Sequence, residues 1–528
     1  MAKPSDLFDR QYEWDDLERF VTSTSPGVRV GVLSGRRRVG KSYLLRRLVR
    51  EFGGIYHMAL EEEPGPALQR FADGLVAQRL HAGQVRFRDW NEAMRAALPP
   101  AGVGLAPLGD PAPGRAGAPL LVIDELPYLL AHPAGRELPS VLQSLVDESR
   151  SASGWPSYRV IVCGSALSIM SELRAGQRRR EHVPSASPEA EIPEQLSGSR
   201  PLRGRAELDL MLRPFDFRTS AGLYGIADPT VAFALYAIVG GIPGYRDLLA
   251  DASPQTMAEL DDLLVSTVLN PSHALFGETA YLLREDPRIT ERALYYSVLA
   301  AIAGGATTPS KIAAVLGRAQ RSLGHALDVL ITAGFVCKDD DVLLQRRPTL
   351  TIADPIVRFH ELVVNPRLVA FEERRAMQAW RAARETVRAQ VFGPAFEEIA
   401  REWTLRYACE ETLGGPVGEV GRTVVNDRAG RAQHELDVVA LAAGGRRGGG
   451  APVVRAIGEV KDSDRPRSGA DLARLDRVRA LLVARGVEAA GAKLLLFGRA
   501  GFDPELQAAA DRRSEVELVD IHRLYTGR

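Results

Sequence analysis

Four short, nearly unbroken apolar runs punctuate the first 220 residues: "VRVGVLSG" (28–35), "GIYHMAL" (54–60), "PLLVIDEL" (119–126) and "YRVIVCGSAL" (158–167). Runs apolar on both faces, alternating with helical stretches, predict a parallel sheet covered by helices on either side. Two interruptions, 99–119 and 174–195, are too rich in Pro, Gly, Ser and charge to pack and read as loops. The pattern turns helical over 221–287, around "VAFALYAIVGGIPGYRDLL".

Over 288–368 the order is helix, turn, helix, helix, then a hairpin, "CKDDDVLLQRRPTLTIADP". Thr308 and Pro309 suit the cap and first turn of the middle helix. This order predicts a winged helix. Its recognition helix would open with Arg318, Gln320 and Arg321, and its wing carries Arg346 and Arg347. Such residues grip DNA. The alternative is a module docked within the chain, and Asp339, Asp340 and Asp341 in the wing would repel phosphate. A helical linker spans 369–390. Residues 391–528 return to α/β, with a flexible glycine-rich turn at 444–450. No internal repeat is present.

Composition narrows the classes. A chain of 528 residues predicts roughly three or four domains. Lys plus Arg (67) balances Asp plus Glu (67), so any nucleic-acid contact must come from local patches. Cys163, Cys337 and Cys409 are far apart, which suggests neither a disulfide framework nor a zinc site and favours a reducing compartment. The charged start lacks an apolar signal segment, and no run of about 18 apolar residues occurs. The expectation is a cytoplasmic protein without a membrane span.

The first run ends in chemistry. Gly35–Arg36–Arg37–Arg38–Val39–Gly40–Lys41–Ser42 fits G-x-x-x-x-G-K-[ST] at every fixed position, between an apolar strand and a helix that continues through Tyr43. Glycines let the backbone wrap phosphates with its N–H groups, and the helix N-terminus adds positive dipole. Lys41 would reach the β- and γ-phosphates and Ser42 would hold Mg2+. The three arginines form a solvated basic rim facing phosphate or DNA. Asp124 and Glu125, past a later strand, supply the second half: Asp124 completes the Mg2+ shell and Glu125 polarises the attacking water. Ser165 either contacts the γ-phosphate or caps a helix. Arg205 is either a trans arginine finger or a sensor, or a structural arginine in a strand.

These residues, with "PLRGRAELDLMLRPFDF" and "VGGIPGYRDLL", resemble the archaeal-type ATPase family, a branch of P-loop ATPases related to AAA+ and STAND proteins. The resemblance covers nearly the whole chain. It implies ATP as the nucleotide, a winged helix, and a C-terminal domain of the DUF234 type. No guanine-reading N-K-x-D motif argues otherwise.

The tail holds a second constellation. Glu397 lies on a predicted helix, Asp437 on a strand, and Glu459 and Lys461 on the next strand, where alternation puts them on one face. Carboxylates holding Mg2+ beside a lysine that orients water are what phosphodiester hydrolysis requires. The order looks like the PD-(D/E)xK, restriction-endonuclease-like fold. Leu436 stands before Asp437 where that motif has Pro, and His434 is incidental. A salt-bridge ladder is the alternative, although charge inside a core strand is costly.

The fold expected is therefore α/β: a P-loop core (1–220), a helical lid (221–287), a winged helix (288–368), the linker (369–390) and a nuclease-like domain (391–528). The function expected is ATP hydrolysis coupled to a DNA-contacting, Mg2+-dependent nuclease tail, and a homo-oligomer is compatible with it. The alternatives are a STAND-like signalling switch, or a winged-helix DNA-binding regulator, with an inactive tail.

Overall fold

The computed structural model describes residues 3–79, 85–100, 118–151, 154–174, 202, 204–344, 348–427, 430–444 and 452–527. The loops expected at 99–119 and 174–195 lie almost wholly outside these residues, as do Arg346, Arg347 and most of the turn at 444–450. The chain divides into two compact units. The first comprises Met1–Pro214 and Leu282–Thr290, the second Phe215–Tyr281 and Glu291–Arg528.

In the first unit, β1 (Gly27–Gly35), β2 (Ile55–Met58), β3 (Leu120–Asp124), β4 (Ser157–Gly164) and β5 (Ala206–Leu212) form one sheet in the order β2-β3-β4-β1-β5. Every pairing is parallel. The alternation of side chains along each strand splits the core in two. On one face Trp14, Leu17, Leu44 and Leu48, from helices Gln11–Thr22 and Lys41–Phe52, pack on Leu33, Val122 and Ile161. On the other, Phe71, Met94, Leu142 and Leu145 pack on Val30, Val32, Leu121 and Ile123. Each such side chain taken fully from water contributes about 1.5–3 kcal/mol. Parallel strands put all their C-terminal ends on one edge, and β4 lies between β1 and β3. The glycine loop, Ser165 and the Asp124–Glu125 pair therefore emerge side by side.

The second unit starts with the helices expected to form a lid. Asp228 accepts from the Thr230 and Val231 amides, and Pro229 sits in the first turn, so helix Pro229–Val239 is firmly started. Helices Arg292–Ala303, Pro309–Leu316 and Gly324–Thr332 follow, then the antiparallel hairpin of β6 (Val336–Asp339) and β7 (Thr349–Ile352). The Thr308 hydroxyl caps the middle helix by accepting from the Lys311 amide.

Two expectations about this module change. Gln320–Leu323 is a 3-10 turn and the α-helix begins only at Gly324, so Arg318, Gln320 and Arg321 precede the helix; all three are exposed. Nor is Asp341 a free charge on a wing. It is 9% exposed and accepts from the Leu343 and Leu344 amides, the Thr423 hydroxyl and the Val424 amide. Val342 next to it donates its N–H to the Arg422 carbonyl and joins the core of the C-terminal sheet.

That sheet runs β12-β11-β10-β9-β8, with β8 (Val417–Asp427), β9 (Ala432–Ala442), β10 (Val454–Lys461), β11 (Lys493–Gly498) and β12 (Val516–Asp520). β8, β9 and β10 pair antiparallel, and β10, β11 and β12 parallel. Leu472, Leu475, Val478 and Leu482 of helix Gly469–Ala484 pack on one face, against Val439, Ile457 and Leu496. Trp403 of helix Gly393–Arg406 meets Phe497 with ring centroids 5.9 Å apart. The early helices join this body: Phe233 lies 5.5 Å from Phe396, and Arg218 donates to the Leu524 and Gly527 carbonyls at 2.7 and 2.6 Å. Among the described residues no single helix is long and apolar enough to cross a membrane.

Candidate functional site

The glycine loop closes the C-terminal end of β1. A Cβ on Gly35 would fall 2.6 Å from the Leu212 carbonyl oxygen, so the close passage of the neighbouring strand end requires glycine. Arg38 (φ 61°) and Gly40 (φ 99°) are left-handed, which curls the loop around the start of helix Lys41–Phe52. Val39 is buried and pins the loop. Lys41 is 4% exposed, and its ammonium donates to the Gly35 and Arg36 carbonyls at 2.8 and 2.9 Å. It lies folded against its own loop. Ser42 is partly buried in the first helical turn. Tyr43 points elsewhere: its ring is exposed and its hydroxyl donates to Asp6 at 2.9 Å.

Asp124 is fully buried at the end of β3. One carboxylate oxygen accepts from the Glu125 amide at 2.9 Å and the other from the Tyr56 hydroxyl. Burial, and then the Asp124 charge, push the Tyr56 phenol up. Among the described residues Asp124 has no ion-pair partner, a state that is costly for a buried carboxylate without a cation. The Ser42 hydroxyl and Asp124 carboxylate are hard oxygen donors, so this pair fits Mg2+.

Glu125 adopts a left-handed conformation (φ 54°), rare for a residue with a side chain. Its carboxylate accepts from the Ser165 amide at 3.1 Å and from the Ser165 hydroxyl at 3.0 Å. Ser165 therefore holds Glu125, a role the spacing did not suggest. Arg205 lies apart. It precedes β5, at the end of the sheet away from the glycine loop, and grips Asp147 with two nitrogens at 2.9 Å. Its guanidinium is engaged in an ion pair within the chain, at the opposite end of the sheet from this chain's own cradle.

In the tail, the strand register sets Asp437 beside Glu459, since Gly458 pairs with Val438. The Asp437 carboxylate accepts from the Val460 amide at 2.8 Å. Burial, against the pull of that N–H, raises the Asp437 carboxyl to about 6. Burial, and then Asp437, raise the Glu397 carboxyl to about 7. Glu459 is 7% exposed and ion-paired with Arg474, with Arg467 at 3.8 Å. Lys461 is largely exposed, 3.8 Å from Asp471. The expected residues are thus neighbours, yet arginines compensate the central glutamate. Among the described residues no group of three or more His, Cys, Asp or Glu side chains converges to hold a metal. The metal-centre assignment of Glu397, Asp437 and Glu459 does not fit this arrangement, because Arg474 stands on Glu459 where a cation would.

The sequence matches no protein-family model and no curated protein. It is similar to solved structures at low identity. The Walker-type ATPase of Pyrococcus abyssi is 19% identical, with 68% of this chain and 97% of that one covered and a TM-score of 0.46. The Aeropyrum pernix ORC2 protein, solved with ADPNP and ADP, is 15% identical, with 72% and 97% covered and a TM-score of 0.40. A Pyrococcus horikoshii STAND protein with a tetratricopeptide-repeat sensor is 12% identical, with 76% and 50% covered and a TM-score of 0.27. With scores below 0.5, function rests on the chain's own residues.

Proposed function

We propose that this protein binds and hydrolyses ATP in the first unit and uses the nucleotide state to govern how the second unit contacts DNA. The observation that carries this reading is the convergence of Lys41, Asp124 and the Ser165-held Glu125 at the ends of three adjacent parallel strands. Loop N–H groups and the helix N-terminus would receive the phosphates. Lys41 would exchange its loop carbonyls for the β- and γ-phosphate oxygens. Ser42 and Asp124 would hold Mg2+, which when bound neutralises phosphate charge. Glu125, aimed by Ser165, would orient the attacking water.

The test is phosphate release from ATP by the full chain in Mg2+. Lys41→Ala should abolish it, and GTP should be the poorer substrate. A Lys41→Ala protein that hydrolyses at the wild-type rate refutes the assignment.

For the second unit the arginine-compensated tail favours a contact module that does not cut, in line with the switch alternative. The exposed Arg318, Gln320 and Arg321 are the residues to grip DNA. One observation favours the nuclease reading instead: Asp437, Glu459 and Lys461 lie together on adjacent strands. Nicking of supercoiled plasmid in Mg2+ or Mn2+ that disappears in Lys461→Ala would establish it. No nicking, with ATP hydrolysis intact, leaves the switch.

A further inference from the structure

Segment Leu282–Thr290 belongs to the first unit, although both chain flanks belong to the second. It is firmly seated there. Leu282, Leu283 and Ile289 are buried. The buried Asp286 carboxylate accepts from the Ser168 hydroxyl at 2.6 Å, on the helix that follows Ser165. Arg288 pairs with Glu172 of the same helix at 2.8 Å. From this seat Glu285 reaches the glycine loop and forms an ion pair with Arg37.

Three features make that pair more than surface decoration. Glu285 is mostly buried, with 16% of its side chain exposed, so its charge is poorly screened by water. Burial raises its carboxyl, Arg37 opposes the rise, and the charges of Glu125 and Lys41 both act on it. Through its ion pair with Arg37 it sits on the glycine loop itself, within electrostatic reach of the groups assigned to the terminal phosphate. Arg37 is 36% exposed, so an anion arriving in the loop can reach it.

We propose that Glu285 is a specificity-determining residue that occupies Arg37 until a nucleotide γ-phosphate displaces it, so that the loop discriminates triphosphate from diphosphate; this rests on the ATP-binding reading. A γ-phosphate brings negative charge to the loop that carries Arg37 and Lys41. It repels Glu285 and competes for Arg37. A diphosphate places less charge there. The exchange of partners on Arg37 is then felt by a segment continuous at both ends with the second unit, which gives the nucleotide state a covalent route to that unit.

The experiment is equilibrium binding of fluorescent ATPγS and fluorescent ADP to the full chain. The variants are Glu285→Gln, Glu285→Asp, Arg37→Gln, the Arg37→Gln/Glu285→Gln double and Lys41→Ala. Glu285→Gln should tighten ATPγS about tenfold, equivalent to ~1.4 kcal/mol, and change ADP by less than about twofold. Glu285→Asp keeps the charge and should return the ratio toward wild type. In the double variant the gain should vanish, because the two residues act through one contact. An unchanged ATPγS-to-ADP ratio in Glu285→Gln, with binding still dependent on Lys41, overturns this proposal alone. Binding that survives Lys41→Ala, or no binding by wild type, overturns the cradle reading and this one with it.

Discussion

Replacing Asp341 with Ala removes one carboxylate and four accepted hydrogen bonds. Two come from the amides of Leu343 and Leu344 within the hairpin's own turn, where water can take the place of the carboxylate. The other two reach across to β8. Thr423 is 2% exposed, so its hydroxyl loses its acceptor without gaining solvent, and the Val424 amide points from the sheet edge toward the same carboxylate. An orphaned buried group costs about 1–3 kcal/mol. Only Thr423 is such a group, since Val424 is 36% exposed and its amide can turn to water, so the loss is ~2 kcal/mol of local opening free energy. Hydrogen exchange reads it directly: protection of the Val342 and Val424 amides should drop roughly thirtyfold, since ~1.4 kcal/mol is tenfold. Amides in β3 and β4 should be unaffected. Equal protection of Val424 in wild type and Asp341→Ala would refute the idea that the hairpin is stapled to β8.

Other expectations concern the cradle and the tail. Glu125→Gln should slow phosphate release by about 10²–10³-fold, a typical loss for a positioned proton-transfer group, while ATP affinity stays within about twofold. Gly35→Ala places a methyl 2.6 Å from the Leu212 carbonyl and 3.0 Å from a Val39 methyl; forcing the strand ends apart should cost ~1–3 kcal/mol and abolish ATP binding, read by thermal melting and fluorescent-nucleotide titration. The Glu397 and Asp437 carboxyls, at about 7 and about 6, both lie above their unfolded values. The folded state thus binds the extra protons, and their stabilising contribution is complete below about pH 4 and lost as pH rises through about 6 to 7. The melting temperature of wild type minus that of Glu397→Gln/Asp437→Asn should therefore fall between pH 5 and 8.

What the sequence disclosed was local. The strand-loop-helix around Lys41 and the acidic pair after β3 each fit within a dozen residues, and period and spacing are enough to read them. The Asp437–Glu459 adjacency also followed, because two strands of a predicted hairpin sheet bring it about. Long-range partners stayed hidden. Nothing near Arg205 announces Asp147, nothing in "KDDD" announces Thr423, and Glu285 reaches Arg37 across most of two hundred and fifty positions. Arg474 lies on a helix whose facing side the helical period alone does not fix, and Arg467 lies before that helix, bridged to Phe502. In each case a charged group that reads as solvated proves to be paired, and pairing depends on the packed fold. The Ser165 contact to Glu125 was likewise not legible, because it joins the ends of two strands forty positions apart.

The seating of Leu282–Thr290 in the first unit has a consequence for how the protein is made. A ribosome delivers residues in order, so the glycine loop, the acidic pair and Ser165 all emerge well before Glu285, Asp286 and Arg288. Until synthesis has passed the helices from Phe217 to Tyr281, Ser168 and Glu172 have no partners and the nascent first unit is unfinished. The N-terminal portion can therefore complete its packing only once the chain has been delivered through Thr290. A fragment ended at Pro214 should be soluble only with difficulty, whereas one carried through Thr290 would supply its own missing piece.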